Sequence, residues 1–491
     1  MPTDEDLERD DIIFSEDRYI VIFEDAHDRE LSPQAADAAV ETRQALFAEL
    51  NIPADPLIHQ FQWSSSGFAA RLPQGKAEAL SRHPEVKHVA RDFKYQAIEK
   101  LPDNSGDSFK QESEEVEAQP NPTSSGVPWG VNRVGGPEDG SGTRAWVLSS
   151  GIDLNHSNLN VDTDNAASFV AWHSADDGNG HGTGVAGVIG ALDNNSGPVG
   201  VAPGASVVPV RVCNDSNQCY VSDVKGGVDY VAGQYSSGEV ASITLGYPHD
   251  EFAHPSVDIP LIELENSIEN AANDGLKFTL SAGNEGEPAE DYSPARMDHD
   301  NIWTISSIDQ NDDFSTDFSN YGDATDFAAP GEDIFTTDIN DGTQTVDGTS
   351  FAAPHVAGIL LVDGEISQDG TANNDPASPA DPIAHKPIMS VSISGPSSLV
   401  SGEQGTWSAT TYNAPGSVDY TWYTSSGSGW NQQTETSDTF SHTFIMEGNH
   451  WVMAKAESIN ETATETQIVN IYCDPPFNPC PHSISKEEIT D

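Results

Sequence analysis

The chain has 491 residues, enough for two to four domains, because a single hydrophobic core seldom extends beyond roughly 250 residues. Its 79 acidic residues outnumber its 21 Lys and Arg residues and give a formal net charge of −58. This charge disfavours nucleic acid and anionic membranes as partners, and it predicts a solvated surface suited to high salt, where screening reduces self-repulsion.

The N-terminal part predicts a small module followed by a linker. Residues 1–20 lack the basic segment and the continuous apolar stretch of a secretory signal. Residues 17–97 predict an α+β unit, and residues 98–126 are polar, acidic and rich in Pro and Ser, as in a linker. The unit's expected elements are strands at 18–25, 58–72 (a pair) and 86–92, and helices at 38–50 and 75–83.

Residues 127–386 predict a doubly wound α/β domain with a mostly parallel sheet. Short apolar runs, typical of buried strands, alternate there with segments of helical periodicity. The expected strands are 143–149, 206–212, 241–246, 277–283 and 302–308, and the expected helices are 221–233 and 260–275. No run approaches the ~18 apolar residues of a membrane-spanning helix, so no membrane span is predicted.

Residues 388–472 change to an alternation of period two with turn residues between short runs, which predicts an all-β sandwich. This module resembles the Ig-like or PKD-like modules appended to many exported enzymes. Residues 473–491 form a short tail around a Pro-rich loop.

The four cysteines form two close pairs, Cys213 with Cys219 and Cys473 with Cys480. Neither spacing matches a zinc knuckle, so two local disulfides are the favoured interpretation. Disulfides in turn favour an oxidising compartment.

Three segments carry the candidate chemistry: DGNGHGTGVAGVIGA (177–191), TLSAGNEG (279–286) and DGTSFAAPHVAG (347–358). Together, in this order, and with GVAPGASVVPVRV (200–212) between the first two, they resemble the subtilisin family of serine proteases, peptidase S8. The resemblance covers about residues 127–386. Residues 17–97 similarly resemble the I9-type propeptide of that family, which implies a ferredoxin-like α+β domain and a precursor with its own inhibitor.

The resemblance implies roles for residues within these segments. Ser350 would be the nucleophile and His181 its general base, since a serine hydroxyl needs a neutral imidazole to take its proton. Asn284 and the Ser350 N–H, at the start of an expected helix, would form the oxyanion hole.

The family's catalytic aspartate position is occupied by Ser149 in the run WVLSSGID. A hydroxyl could orient the imidazole, but it could not stabilise the imidazolium that forms during attack. The nearby Asp153, Asp176 and Asp177 are read mainly as solvated or structural charges rather than substitutes. We therefore expect attenuated activity.

Other predicted sites follow from the resemblance. Thr244, Leu245 and Gly246 match the segment that lines the substrate cleft, where an extended peptide would bind by strand addition. Asp326 matches a calcium-binding aspartate of some relatives, although no cofactor is required. His156, His173 and His355 are interpreted as surface or packing residues.

Three functions remain open at this stage. The first is an attenuated endopeptidase acting on peptides or proteins, and the second is a pseudoprotease that binds peptides or inhibits without turnover. The third is a structural or adhesive surface protein whose working part is the C-terminal β module. The family and the cysteine pairs favour an extracellular product.

Overall fold

A computed structural model of the chain describes residues 12–24, 33–96, 127–249, 255–387, 389–412, 417–426, 429–458 and 462–472. The chain divides into two compact units, Met1–Lys386 and Pro387–Asp491. The predicted linker, the predicted tail, and Cys473 with Cys480 lie outside the described residues.

The N-terminal part of the first unit is a four-stranded antiparallel sheet with two helices. Its strands are β1 (Ile12–Phe23), β2 (Leu57–Phe61), β3 (Gly67–Arg71) and β4 (Val86–Gln96), and its helices are α1 (Pro33–Glu49) and α2 (Gln74–Leu80). The strand order is β2-β3-β1-β4. Alternate residues of β1 point to opposite faces: Val21 packs with the module's helices, while Ile20 and Ile22 join the core of the following domain.

The following domain contains five α-helices, one 3₁₀ helix (Ala289–Asp291) and fifteen strands among its described residues. The helices are α3 (Trp129–Arg133), α4 (His181–Gly190), α5 (Val221–Ala232), α6 (Pro255–Asn273) and α7 (Thr349–Val362). The strands are β5 (Arg144–Ser149), β6 (Asn160–Val161), β7 (Ala167–Ser168), β8 (Ser206–Arg211), β9 (Gln218–Tyr220), β10 (Val240–Ile243), β11 (Tyr247–Pro248), β12 (Lys277–Ser281), β13 (Tyr292–Ser293), β14 (Ile302–Ile308), β15 (Phe327–Pro330), β16 (Ile334–Asp338), β17 (Gly342–Val346), β18 (Ser367–Thr371) and β19 (Pro382–His385).

The central sheet runs in the order β18-β19-β15-β14-β12-β10-β5-β8-β6, with β7 also paired to β8. All of its pairings except β18 with β19 are parallel. Strand β5 is buried on both faces: Trp146 and Leu148 pack toward α5 and α6, and Ala145 and Val147 toward α4 and α7. The predicted doubly wound, mostly parallel fold is confirmed.

The second unit is built from strands alone among its described residues. They are β20 (Ser390–Ser394), β21 (Ser398–Val400), β22 (Gln404–Tyr412), β23 (Asp419–Ser425), β24 (Trp430–Gln432), β25 (Thr439–Thr443), β26 (Gly448–Glu457) and β27 (Thr462–Tyr472). They form sheets of order β20-β22-β25 and β21-β27-β26-β23-β24. Trp407, Trp422 and Phe440 fill the core, which confirms the predicted all-β module.

Within the ranges described, no helix combines the length and apolar composition needed to cross a membrane.

Candidate active site

The predicted site residues lie at one edge of the central sheet. Ser149 ends β5, Thr244 directly follows β10, and Asn284 lies three residues after β12. Because these strands are parallel neighbours, their carboxyl ends meet at the same edge, which is where α/β sheets bind ligands.

His181 is the first residue of α4 and is 5% exposed. The start of this helix is held by the Asp177 carboxylate, which accepts hydrogen bonds from the Thr183 N–H at 3.0 Å and the Thr183 hydroxyl at 2.7 Å. The His181 N–H donates to Asn179 Oδ1 at 3.2 Å. These contacts fix the backbone from which the imidazole projects.

The imidazole reaches Ser149. Ser149 Oγ lies 2.8 Å from His181 Nδ1, and both side chains are buried. The Ser149 carbonyl accepts the N–H groups of Val212 at 2.9 Å and Cys213 at 3.1 Å, which anchors the end of β5. Ser149 therefore has the geometry to orient the ring, but it brings no negative charge.

The three nearby acids are engaged with backbone groups in the described contacts. The Asp153 carboxylate accepts from the Asn155 N–H at 3.0 Å and the Asn340 N–H at 2.8 Å. Asp176 Oδ1 accepts from the Leu154 N–H at 3.1 Å. With Asp177 capping α4, each of these carboxylates holds a loop, as the structural interpretation expects.

Ser350 is the second residue of α7, so its N–H lies at the positive end of the helix dipole. Its hydroxyl donates to the Thr244 carbonyl at 3.4 Å, a long hydrogen bond. The ring of the adjacent Phe351 packs against the His181 ring with centroids 5.5 Å apart. The structure thus brings the two predicted catalytic residues to the starts of neighbouring helices.

Asn284 is oriented by the residue before Ser350. Its Oδ1 accepts both the Thr349 N–H and the Thr349 hydroxyl, each at 2.9 Å. With the oxygen so occupied, the amide N–H groups are the donors that an oxyanion could use. Gly348, at φ 143°, has a conformation that favours glycine and lies close to this amide.

Glu285 also holds the loop that carries Asn284. Its carboxylate accepts the Asn284 N–H at 2.9 Å and the Asn320 side-chain amide at 2.8 Å. Burial raises the pKa of Glu285, and these hydrogen bonds oppose that rise. The loop that carries the candidate oxyanion donor is therefore tied from both sides.

Thr244, Leu245 and Gly246 form the segment after β10. Thr244 and Leu245 are buried, and Gly246 is half-buried. Within the described ranges, Thr244 Oγ1 is buried without a hydrogen-bond partner. Such an atom is uncommon in a folded protein, and it belongs to the residue whose carbonyl accepts the Ser350 hydroxyl.

The N-terminal module is joined to the following domain by strand pairing. Its last strand, β4, pairs antiparallel with β9, matching Lys94 with Tyr220, Tyr95 with Cys219 and Gln96 with Gln218. The five-stranded sheet that results contains strands from both domains.

Buried charges join the same two domains. Arg18 of β1 pairs with Asp92 of β4 at 2.5 Å and also bonds to Asp223 of α5. The Asp92 carboxylate accepts the Ser222 N–H at 3.1 Å, at the first turn of α5. Farther along α5, the Asp229 carboxylate accepts three consecutive N–H groups, those of residues 62–64.

The structure joins Cys213 and Cys219 by a disulfide. The second cysteine pair lies outside the described residues.

Asp326 does not lie in a ready metal site. Its carboxylate accepts the Thr304 N–H at 2.8 Å, and burial, with the charges of Asp298 and Asp381, raises its pKa to about 6. In the described part of the chain, no three His, Cys, Asp or Glu side chains gather in a way that could hold a metal ion. A calcium ion at Asp326 therefore stays a prediction.

The particular contacts of two supporting residues were not predicted from sequence. Asp177 and Thr349 lie beside the candidate catalytic residues in the motifs, but their hydrogen bonds depend on how separate loops meet. The sequence offered one weak sign of the Asp177 contact, which was a carboxylate shortly before the start of the helix. The sign is weak because the N-cap residue itself is Gly180. Of the three histidines interpreted as surface or packing residues, His156 and His355 are buried and His173 is exposed.

Comparison with known proteins identifies both parts of the first unit. Residues 140–366 match the Subtilase family, and residues 18–97 match the Peptidase inhibitor I9 family. Proteinase R of Parengyodontium album is 30% identical over 338 residues, covering 66% of this chain and 75% of that protein. Subtilisin Savinase of Lederbergia lenta is 36% identical over 239 residues, covering 47% of this chain and 82% of that protein.

Among solved structures, a cold adapted subtilisin-like serine proteinase is 33% identical, with a TM-score of 0.41, and covers 48% of this chain and 84% of that chain. The chain belongs to the subtilase family of serine proteases and carries an I9 inhibitor domain ahead of its peptidase domain.

Proposed function

We propose that the chain is the precursor of a subtilisin-like serine endopeptidase that hydrolyses peptide bonds through an acyl-enzyme on Ser350, at a rate attenuated by Ser149. The observation that carries the proposal is the 2.8 Å contact between Ser149 Oγ and His181 Nδ1. A hydroxyl that accepts the Nδ1–H leaves Nε2 neutral and free of its proton, which is the form a general base needs.

The proposed reaction uses groups of this chain alone. Ser350 Oγ attacks the peptide carbonyl carbon while His181 Nε2 takes its proton, and the carbonyl oxygen becomes an oxyanion. The Ser350 N–H and the Asn284 amide donate to that oxyanion. His181 then returns the proton to the leaving amine, and water repeats the sequence to release the acyl group.

The proposed attenuation is electrostatic. Ser149 can hold the ring in the right tautomer, but it gives the imidazolium no opposite charge. Removing the carboxylate from such triads lowers turnover by about 10⁴-fold, equivalent to about 5.5 kcal/mol. The remaining catalysis comes from the nucleophile, the base and the oxyanion donors.

A second candidate is a pseudoprotease, which would bind or retain peptides in the cleft without cleaving them. The replacement at Ser149 favours it, as does the N-terminal module, whose strand β4 is paired with β9. An adhesive role of the C-terminal module is a third candidate, and deletion of residues 388–491 would then abolish binding to a surface or polymer.

The deciding experiment follows the intact mass of the full chain in molar salt beside three variants, Ser350→Ala, Ser149→Ala and Ser149→Asp. We expect slow self-cleavage within residues 98–126 in the parent, none in Ser350→Ala, slower cleavage in Ser149→Ala and much faster cleavage in Ser149→Asp. Ser149→Ala is the matched control because it removes only the hydroxyl that contacts His181.

Labelling of Ser350 by a fluorophosphonate completes the test. A parent chain that neither cleaves itself nor becomes labelled, beside a Ser149→Asp chain that does both, would establish the pseudoprotease instead. The proposed substrates are extracellular peptides or proteins, and the uncleaved I9 domain is the proposed inhibitor.

If calcium binds at Asp326, a chelator should lower the unfolding temperature of the parent. The chelator should have no such effect on the Asp326→Asn variant.

A further inference from the structure

The Cys213–Cys219 disulfide closes a short turn between β8 and β9. The turn contains five polar residues, Asn-Asp-Ser-Asn-Gln, and both sulfur-bearing side chains are buried beneath it. A turn of this composition has few apolar contacts of its own, so the covalent closure limits its freedom.

One end of the turn is attached to the catalytic strand. The Cys213 N–H donates to the Ser149 carbonyl at 3.1 Å, at the residue whose hydroxyl contacts His181. The middle of the turn is attached to the loop before the histidine, because Asn179 Nδ2 donates to the Asp215 carbonyl at 3.1 Å. A Cβ added at Gly178 would approach Asp215 Oδ1 to 2.4 Å, so the two loops are in close contact.

The other end of the turn is the edge strand β9. Tyr95 of β4 lies opposite Cys219 and is buried in a cluster that includes Cys219, Leu245 and Tyr247. The Tyr247 hydroxyl donates to the Cys219 carbonyl at 3.2 Å. Leu245 follows Thr244, whose carbonyl accepts the Ser350 hydroxyl, so the residues that pack beside β9 are continuous with the segment that contacts the nucleophile.

We propose that the Cys213–Cys219 disulfide is a positioning clamp that holds β9 in strand geometry for pairing with an extended peptide. This inference rests on the proposed function, because the peptide that would replace β4 is the substrate. Among the described residues, the ladder between β4 and β9 joins three residue pairs. An edge strand that is ordered before the peptide binds spares part of the cost of ordering it on binding.

The first test needs no catalysis. Amide hydrogen exchange is measured on the unprocessed full chain carrying Ser350→Ala, with and without Cys213→Ser plus Cys219→Ser. We expect the amides of residues 94–96 and 218–220 to exchange about tenfold faster without the disulfide, while those of β5 and β8 change less than about twofold. Unchanged exchange in β9, or an equal increase across the peptidase domain, would overturn the proposal.

Two further variants keep the test decisive. Cys473→Ser plus Cys480→Ser removes the other cysteine pair and should leave the β9 amides unchanged. Asn214→Ala removes the side-chain oxygen that accepts the Ser216 and Gln218 N–H groups at 3.0 Å each, while leaving the disulfide in place. It should loosen β9 in the same direction but less, even if the double cysteine variant fails to fold.

The second test separates positioning from simple stability. Processed Ser149→Asp protein is labelled at Ser350 with a small fluorophosphonate and with a peptidyl phosphonate. Loss of the disulfide should slow the peptidyl reagent about tenfold and the small reagent less than about twofold. If loss of the disulfide slows both reagents equally, the clamp is refuted and the endopeptidase proposal stands. If the β9 amides exchange faster without the disulfide but no chain is labelled, the endopeptidase is refuted and the clamp stands.

Discussion

Ser149 gives His181 a neutral partner at the distance of an ordinary hydrogen bond. The hydroxyl orients the His181 ring as a carboxylate would, but it carries no negative charge, so it does not stabilise the imidazolium. This is why Ser149→Ala and Ser149→Asp are expected to change cleavage in opposite directions.

His355 is a residue whose burial predicts a dependence of stability on pH. It is fully buried in α7, with Nδ1 2.8 Å from the Phe351 carbonyl, and burial lowers its pKa to about 4. The folded chain therefore needs the neutral ring, and the stability present above pH 6.5 should be lost as the pH falls from 6.5 toward 4. The loss should reach about 3 kcal/mol.

The check compares urea unfolding of the parent and His355→Met between pH 4 and pH 7. The variant should show a flatter profile on the acid side, whatever its stability at pH 7. Burial raises the pKa of Asp326 and of Asp381 to about 6, and these groups favour the folded chain as the pH falls. They are present in both proteins, so they cancel in the difference, and parallel profiles would contradict the assignment to His355.

At the scale of elements, α4 shows what sequence patterns could not predict. The helix His181–Gly190 is buried on every side, so it has no polar stripe, and its four glycines lower its helix propensity. The glycines are required by packing instead. A Cβ at Gly187 would come within 2.2 Å of Thr337 Oγ1 and 2.4 Å of Thr336 Oγ1.

Gly187→Ala should therefore destabilise the protein although alanine is the better helix former. Both threonine hydroxyls donate to carbonyls of α4, Thr336 to Gly184 at 2.6 Å and Thr337 to Thr183 at 2.7 Å, so they cannot move aside freely. We expect the free energy of unfolding to fall by about 1–3 kcal/mol. Chemical denaturation measures this change.

Gly75→Ala is the matched control. It lies in α2, where an added Cβ meets nothing within 4 Å. This substitution should raise stability by about 0.5–1 kcal/mol, because it only restricts the unfolded chain. A stabilising Gly187→Ala would mean that α4 and β16 can separate at little cost.

The elements that sequence patterns predicted are those with long apolar runs. The five expected strands of the central sheet are present because they are continuous apolar runs buried on both faces, and helices α5 and α6 are present because their apolar residues repeat every three to four positions. Strand β18 was not predicted, because it lies at the edge of the sheet and its residues, Ser367–Thr371, are polar and mostly exposed. The pairing of β9 with β4 depends on contact between residues more than 120 positions apart, which no local pattern encodes.

The candidate site likewise divides into residues that short motifs predict and contacts that they do not. His181, Asn284, Ser350 and the replacement at Ser149 could be predicted because they lie within short motifs. The contacts of Asn284 with Thr349 and of Asn179 with Asp215 could not, because each joins loops that meet only in the folded chain.

At the scale of the whole molecule, the net charge of −58 predicts stabilisation by salt. The screening length falls from about 10 Å at 0.1 M to about 3 Å at 1 M, so repulsion between distant carboxylates weakens while the buried Arg18–Asp92 pair is little affected. The unfolding temperature should rise by several degrees over this range, since ~1 kcal/mol corresponds to about 2–4 °C in a large domain.

Differential scanning calorimetry in 0.1, 1 and 2 M sodium chloride measures this rise. Sucrose is the control, because it strengthens apolar burial without screening charge. An equal response to sucrose and to salt would show that the acidic surface is not the cause.

The sheet shared by β4 and β9 also sets how the inhibitor domain leaves. While residues 98–126 are intact, docking is intramolecular and does not depend on the protein concentration. One cut in that segment turns the same ladder into an association between two molecules, and the bound fraction then obeys mass action. Dilution below the dissociation constant would then release the domain from a cut chain, whereas an intact chain would hold it at any dilution.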